Sequence, residues 1–551
     1  MATVVWRSNP RIRAEVRDYL FAGTWEATDI ITLTMGAVTV SVTAGSTVIA
    51  TVVATVFAAW NALATADYPS FAKITASASG DNLRLTMDST YAGEPIKCTV
   101  ATTETGGGAA DAQTIDGAAT STGTASTANR GPYDWNTPEN WSTGIVPVAT
   151  DTVIFDGGSL EPVYYGLDQN GIALTALTIL ASYSGTAPSG LAAGIGLPKV
   201  NEDVSNYTYA EHQPDYLAIR PGTLRIGDGP GSGCGRLKID YGSAAAATIV
   251  VRNTGTSREE DGVPCLLLKG SHASSAVTIE AGDVGVAFHA GETSDLTGGL
   301  TIGRSGLLGT VTATPQVYLG SGCTIVTANV DSGTVWGQAA VTTLNLRGGI
   351  YHHAQGAITT VSMTTGSLFY PSTSAATTVS IESGAATINA AITTLTLGDL
   401  APSVKVTGAI TTANVNSGGL EAYSTIGTGN YNGGSVVSRG AVTTLTVYAG
   451  VHWHESGNVD VLVMHGGRLN YRALSTLGGN PIVAGDAVLD FSKSTVAKTV
   501  TNPIEVHGGR SRVIDTNKSV ATLVLDLNND VLDSARFPIG TNIRLTRGTP
   551  A

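Results

Sequence analysis

The chain has 551 residues, 42% of them hydrophobic, 6% aromatic and 13% charged, with 67 glycines and a formal net charge of −13. That apolar content excludes a disordered polymer. An acidic balance without a basic cluster excludes a nucleic-acid-binding surface, which needs grouped Lys and Arg to displace counterions.

Residues 1–22 read as an N-terminal arm. They mix Arg7, Arg11, Arg13, Glu15, Arg17 and Asp18 without an apolar run, so no signal peptide is expected and secretion by the general route is not. Residues 23–107 read as a compact α+β attachment module. Ile30–Met35 with Val38–Val42 and Ile74–Ser79 with Leu83–Met87 have the alternation of hairpins, and Lys97–Thr103 is expected as a last strand beside the second. Between the hairpins, Val48–Ala66 carries no charge and is long enough to span a bilayer. Thr51, Thr55, Asn61 and Thr65 within it favour a buried helix packed through Phe57 and Trp60, with Ser46 or Thr47 as N-cap, so no membrane partner is expected. Residues 108–131, rich in Gly, Ala, Ser and Thr, read as a linker.

Residues 132–500 read as a coil of stacked short strands. Trp135 and Trp141 open it, and two costly indoles at this point suit a cap over the end of an apolar core. Alternation resumes at Leu174–Ile179 and recurs irregularly until a repeat of 16 to 18 residues sets in from Ile325 to Gly467. Its units start at Ile325, Val341, Ile358, Ala376, Ile392, Ile410, Ile426, Val442 and Val459. The third position is Thr in eight of nine units, and the ninth is Gly in eight of nine, with Leu400 the exception. Positions four and six are mostly apolar and position five mostly polar, which sends alternate side chains inward and outward. A fixed period of this length signals a solenoid, in which each rung buries its apolar face only against its neighbours. The fold class is therefore mainly β, a parallel β-helix (β-solenoid) of about 17 residues per rung and roughly triangular section, preceded by a small α+β module. An antiparallel sandwich explains the strand spacing but not a Thr held at one position through eight units. Residues 501–551 lose the period and read as a C-terminal cap.

The run Trp135, Asn140-Trp141, Gly144, Pro147, Asp151 to Phe155 resembles the N-terminal motif of β-helical surface proteins of the autotransporter-passenger and phage-encoded kinds. The module at 23–107 is similar to an α+β module of bacteriophage virion proteins. The resemblance implies a structural protein of a virion surface, assembled in the host cytoplasm. It also implies a homotrimer, with other virion proteins such as the major capsid protein as partners and host-surface glycan as a further one. The chain departs from the secreted pattern in having no signal peptide and no evident membrane-barrel C-terminus, which favours the phage side.

Glycoside hydrolysis wants two carboxylates about 5–10 Å apart, and the candidates are Glu259, Glu260 and Asp261 in one loop and Glu280 with Asp283. Asp331, Glu382, Asp399, Glu421, Glu455 and Asp460 fall at differing repeat positions and form no evident cleft. His352-His353 and His452-Trp453-His454-Glu455 suggest a metal site, but six rungs at about 4.8 Å put them roughly 29 Å apart. His452 and His454 share a face, where copies from a trimer would be needed to complete a site. Gly227–Gly235 lacks the Lys and following helix of a phosphate loop and reads as a flexible loop. Cys98, Cys234, Cys265 and Cys323 have no metal or redox spacing and read as isolated buried thiols. No catalytic, cofactor or metal residue is therefore assigned, and the expectation is a non-enzymatic capsid decoration or spike. Its alternatives are a tailspike-like polysaccharide-binding or -depolymerising protein and a secreted β-helical adhesin.

Overall fold

Parallel strands laid one rung above another dominate a computed structural model of the chain, which describes residues 2–8, 12–35, 38–64, 69–105, 112–128, 130–196, 216–255, 262–303, 314–508, 510–527 and 542–546. The chain divides into two units, residues 1–247 with 251–268, and residues 248–250 with 269–551.

The first unit holds the α+β module and the first rungs of the coil. In the module one antiparallel sheet runs Thr124–Thr127, Val16–Ala22, Asn82–Met87, Ile74–Ser79, and the other Val38–Thr43, Ile30–Met35, Thr99–Thr103, Thr120–Ser121. Both expected hairpins are present, with Ile30 opposite Thr43 and Ile74 opposite Met87. Thr99–Thr103 pairs instead with Ile30–Met35 of the first hairpin, while Val16–Ala22 lies beside the second. The helix spans Ile49–Leu63 and buries Val52, Val53, Val56 and Trp60, which recur at helical spacing on one face. Trp60 Nε1 donates to the Ile74 carbonyl at 2.9 Å, tying helix to sheet. Phe57 is only partly buried against this core. The helix has Val48 at its N-cap without a side-chain cap, and the Ser46 hydroxyl accepts from the Val48 amide one step earlier. No helix among the described residues is long and apolar enough to cross a membrane.

Residues read as an arm carry strands of two different sheets. Val16–Ala22 is central in the module, while Thr3–Val5 lies parallel to Thr152–Phe155 of the coil. Thr152–Phe155 pairs in turn with Asp168–Leu180, and that with Leu217–Asp228. The segment read as a linker also contributes edge strands, at Thr114–Ile115, Thr120–Ser121 and Thr124–Thr127.

The second unit contains the regular repeat. Each rung has a six-residue strand such as Val341–Leu346 and a four-residue strand such as Ile350–His353. In the long strand positions one, four and six are buried. Strict alternation cannot bury both one and four, so the chain turns a corner at positions two and three and each rung presents three inward runs. The Thr file is in register throughout: Thr327 faces Thr343, then Thr360, Thr378, Thr394, Thr412, Thr428 and Thr444. At position nine, Gly434 has φ +68°, and a Cβ there would collide with the Gly418 carbonyl oxygen of the rung before. Positive φ and close rung-to-rung approach both demand glycine. Where Leu400 breaks the pattern, Ala401 takes the positive φ of 53° in its place.

Parallel pairing does not stop where the period does. Arg468–Tyr471 pairs with Val488–Asp490 and that with Arg512–Ile514, while Ile504–Val506 pairs with Leu523–Asp526 and that with Ile543–Thr546. The segment read as a terminal cap thus continues the rungs with longer connections. Those insertions hide the repeat from the sequence without changing the pairing.

Candidate functional site

Of the candidate carboxylates in the regular rungs, Asp331, Glu421 and Glu455 pair with arginines, while Glu382, Asp399 and Asp460 are exposed. Asp331 binds Arg347 at 2.7 Å, and Arg439 bridges Glu455 at 2.9 Å and Glu421 at 3.4 Å. Asp490 pairs with Arg468. Each pair joins one rung to the next, so the acids act as cross-rung ties. The Tyr423 hydroxyl, with Arg439 behind it, holds the Glu421 carboxyl below the usual carboxylate range. Asp283 is buried at the head of strand Asp283–Val286, opposite Gln316, and Glu280 is half-buried just before it. Glu259, Glu260 and Asp261 lie outside the described residues.

The histidine pairs split across the wall of the coil. His352 is on the outside and His353 fully buried within, while His452 and His454 both point inward around an outward Trp453. His452 and His454 are buried inside the coil rather than on a face open to another chain. Among the described residues no group of three His, Cys, Asp or Glu is placed to hold a metal ion.

Two features of the outer wall escaped the sequence reading. Tyr318, Trp336, His352 and Phe369 occupy the same strand position on successive rungs. Their rings stack with centroids 4.6, 6.0 and 4.9 Å apart and planes within 12°. Each ring covers its neighbour's face, so the stack offers mainly edges to the outside. Further along, the Arg472 guanidinium lies 4.1 Å from the Trp453 ring centroid, and Lys405 and Arg439 lie 4.9 and 4.6 Å from that of Tyr423. These cations shield the rings. The signal was a chemical class recurring at the twelfth repeat position, hidden because the residue type changes at every rung.

The Trp-rich motif does what two buried indoles require, with a third from the N-terminus. Trp6 lies 5.0 Å from Trp141, Trp141 lies 4.7 Å from Trp135, and Phe155 and Tyr183 extend the cluster. Trp6 Nε1 donates to the Glu161 carbonyl and Trp141 Nε1 to that of Trp135. The buried Asn140 amide donates to the carbonyls of Gly131 and Asp134. Asp151 accepts from the amides of Ala2 and Val148, pinning the N-terminal strand to the first rung.

Gly227–Gly235 is a packed corner. A Cβ on Gly227, Gly231, Gly233 or Gly235 would strike the backbone of Asn253, Ala181, Gly255 or Ala193. These four glycines answer to backbone proximity, and the flexible loop expected there is a tight one. All four cysteines are buried. Burial pushes the Cys98 and Cys323 thiols up to about 12, which keeps them protonated and unreactive. Cys234 and Cys265 donate to the adjacent carbonyls of Asn253 and Thr254, which makes them neighbours despite their distance in sequence.

The first unit also has two adjoining clefts, of about 540 and 380 Å³, which share Lys97, Asn136 and Gly166. Arg17 and Asp134 line one, Tyr164, Tyr165 and Asp168 the other. The Arg17 side chain is held by Glu15 and the Thr122 carbonyl, and the Asn136 carbonyl by Gln169. Mixed charge and committed side chains select no ligand class there. What the described residues offer is an outer wall of aromatic and charged ladders joined from rung to rung. No family model, curated protein or solved structure matches the chain.

Proposed function

We propose that the chain is a non-enzymatic structural protein of a bacteriophage virion surface, a capsid decoration or spike. In this reading residues 1–130 attach it to the particle, the major capsid protein is its partner, and the rungs form the displayed part. The observation that carries the reading is the commitment of the outer wall to cross-rung contacts. From Ile325 to Met464 the register is unbroken, and Asp331, Glu421 and Glu455 are each tied to an Arg. Such a wall supplies buried area and lateral pairing and leaves little for bond-breaking chemistry. Imaging labelled protein on intact particles tests it. Many copies over the shell mean decoration and a few at one vertex mean a spike, whereas protein never found on particles refutes both.

A second reading, a polysaccharide depolymerase, is favoured only by the closeness in sequence of Glu280 and the buried Asp283 at one strand head. Incubation with host capsule or lipopolysaccharide followed by a reducing-end assay is expected to give no cleavage. Cleavage lost in Glu280→Gln would replace the structural reading with the enzymatic one.

A further inference from the structure

Inside the second unit, polar rings interrupt an otherwise aliphatic core. His353 stands among Tyr351 and Tyr370, with centroids 6.0 and 4.8 Å away. His452 lies 4.9 Å from Tyr431, and His454 5.0 Å from Tyr471. All three histidines are at most 1% exposed.

Their hydrogen bonds fix one proton on each ring. Nε2 of His353, His452 and His454 lies 3.1, 2.7 and 2.7 Å from the carbonyl oxygens of Gly356, Ala449 and Gly457. A carbonyl only accepts, so Nε2 carries the hydrogen and Nδ1 is the bare nitrogen. Nδ1 of His454 accepts from the Ser438 hydroxyl at 2.9 Å. Nδ1 of His353 and of His452 is buried with no hydrogen-bond partner. A second proton has no partner in place at Nδ1 of His353 or His452, where the neighbouring Tyr351 and Tyr431 hydroxyls are themselves buried and unpaired. At His454 it would require the Ser438 hydroxyl to turn from donor to acceptor.

Among the described residues no charged side chain contributes to the proton affinity of these rings. The titratable groups in ring contact are Tyr351, Tyr370, Tyr431 and Tyr471, all pushed up by burial and so neutral, with Cys323 near Tyr351. In register with His353 is Gly337, and Ser438 and Tyr471 with His454; Val436 and Leu469 flank His452. The long strands of these rungs turn Leu344, Leu346, Val361 and Met363, or Leu445, Val447, Leu462 and Met464, inward. Arg439, Glu455 and Arg472 are on the outer wall, tied to one another.

We infer that His353, His452 and His454 form a buried acid-sensing element, which loosens the rungs around residues 350–370 and 436–471 when the medium acidifies. Burial lowers the proton affinity of all three rings below the ordinary imidazole range. The unfolded chain then binds more protons in acid, so the stabilisation is complete above about pH 6.5 and declines as pH falls through and below that value. The element acts whatever surface carries the chain.

Thermal unfolding of the full chain at pH 7.5 and 5.0, alongside the variant H353Q/H452L/H454Q, tests this. Gln retains a donor for the carbonyl, and Leu already stands in register at Leu469. The midpoint of the natural sequence is expected to fall by several degrees more than that of the variant; equal falls overturn the inference. Histidine C2–H exchange across pH, read by mass spectrometry on the natural sequence, decides the matter even where the variant does not fold. His353, His452 and His454 are expected to titrate at lower pH than the same histidines in the urea-unfolded chain, and titration at the same pH in both overturns it.

Discussion

At single residues, the coil is specified by small side chains placed where backbone or a large ring comes close. Gly337 leaves room for the Tyr351 hydroxyl, which would lie 2.7 Å from a Cβ, and Gly429 does the same for the Tyr431 ring. The ninth-position glycines add the demand for positive φ. Gly434→Ala is expected to lower stability by about 1–3 kcal/mol through strained φ and collision with the neighbouring rung; urea unfolding monitored by circular dichroism measures it. An unchanged midpoint would mean that the rung spacing yields. The glycine pattern was readable in the sequence because one physical demand repeats with one residue type. The matching of Gly337 to Tyr351 was not, since it pairs residues on different rungs at different positions.

Among elements, the decisive one is the first rung. Its aromatic cluster joins Trp6 from the N-terminal strand to Trp135, Trp141, Phe155 and Tyr183. Trp141→Ala is expected to cost about 3–5 kcal/mol, as deletion of a buried aromatic does, and to expose the edge Thr152–Phe155 to pairing with other chains. A lower melting temperature with concentration-dependent light scattering is the expected outcome. Sequence alone identified Trp135 and Trp141 as a cap but left Trp6 in an arm. Three residues, Thr3–Val5, carry too little alternation to announce a strand, and their partner lies far along the chain. The strands after Gly467 were obscured for a related reason. Longer connections break the period, while pairing depends only on where the strands end up.

For the molecule as a whole, composition and repeat gave the fold class, because a solenoid writes its architecture locally. A candidate site was harder to read. Alternation told which residues share a face, as for His452 and His454, but not that the face is inside. Trimerisation follows from the virion reading. A solution mass three times that of one chain, by light scattering, is the expected outcome, and a monomer over the accessible concentration range would set that part aside.

The strand Thr3–Val5 also has a consequence for the order of events during synthesis. Ala2 and Asp151, which bond to each other, are 149 residues apart, whereas the rungs of the regular repeat from Ile325 to Gly467 find their partners 16 to 18 residues away. Thr3–Val5 must therefore wait, with Trp6 unsheltered, until the intervening α+β module has been made. Rungs that follow can close almost as fast as they are made. Thr3–Val5 is thus placed only after Thr152–Phe155 has been made, and its docking serves as a seal on the finished first rung. A ribosome stalled before Asp151 has left the exit tunnel would hold a folded module on an unsatisfied N-terminal strand. Limited proteolysis of such stalled chains would find the cleavage there.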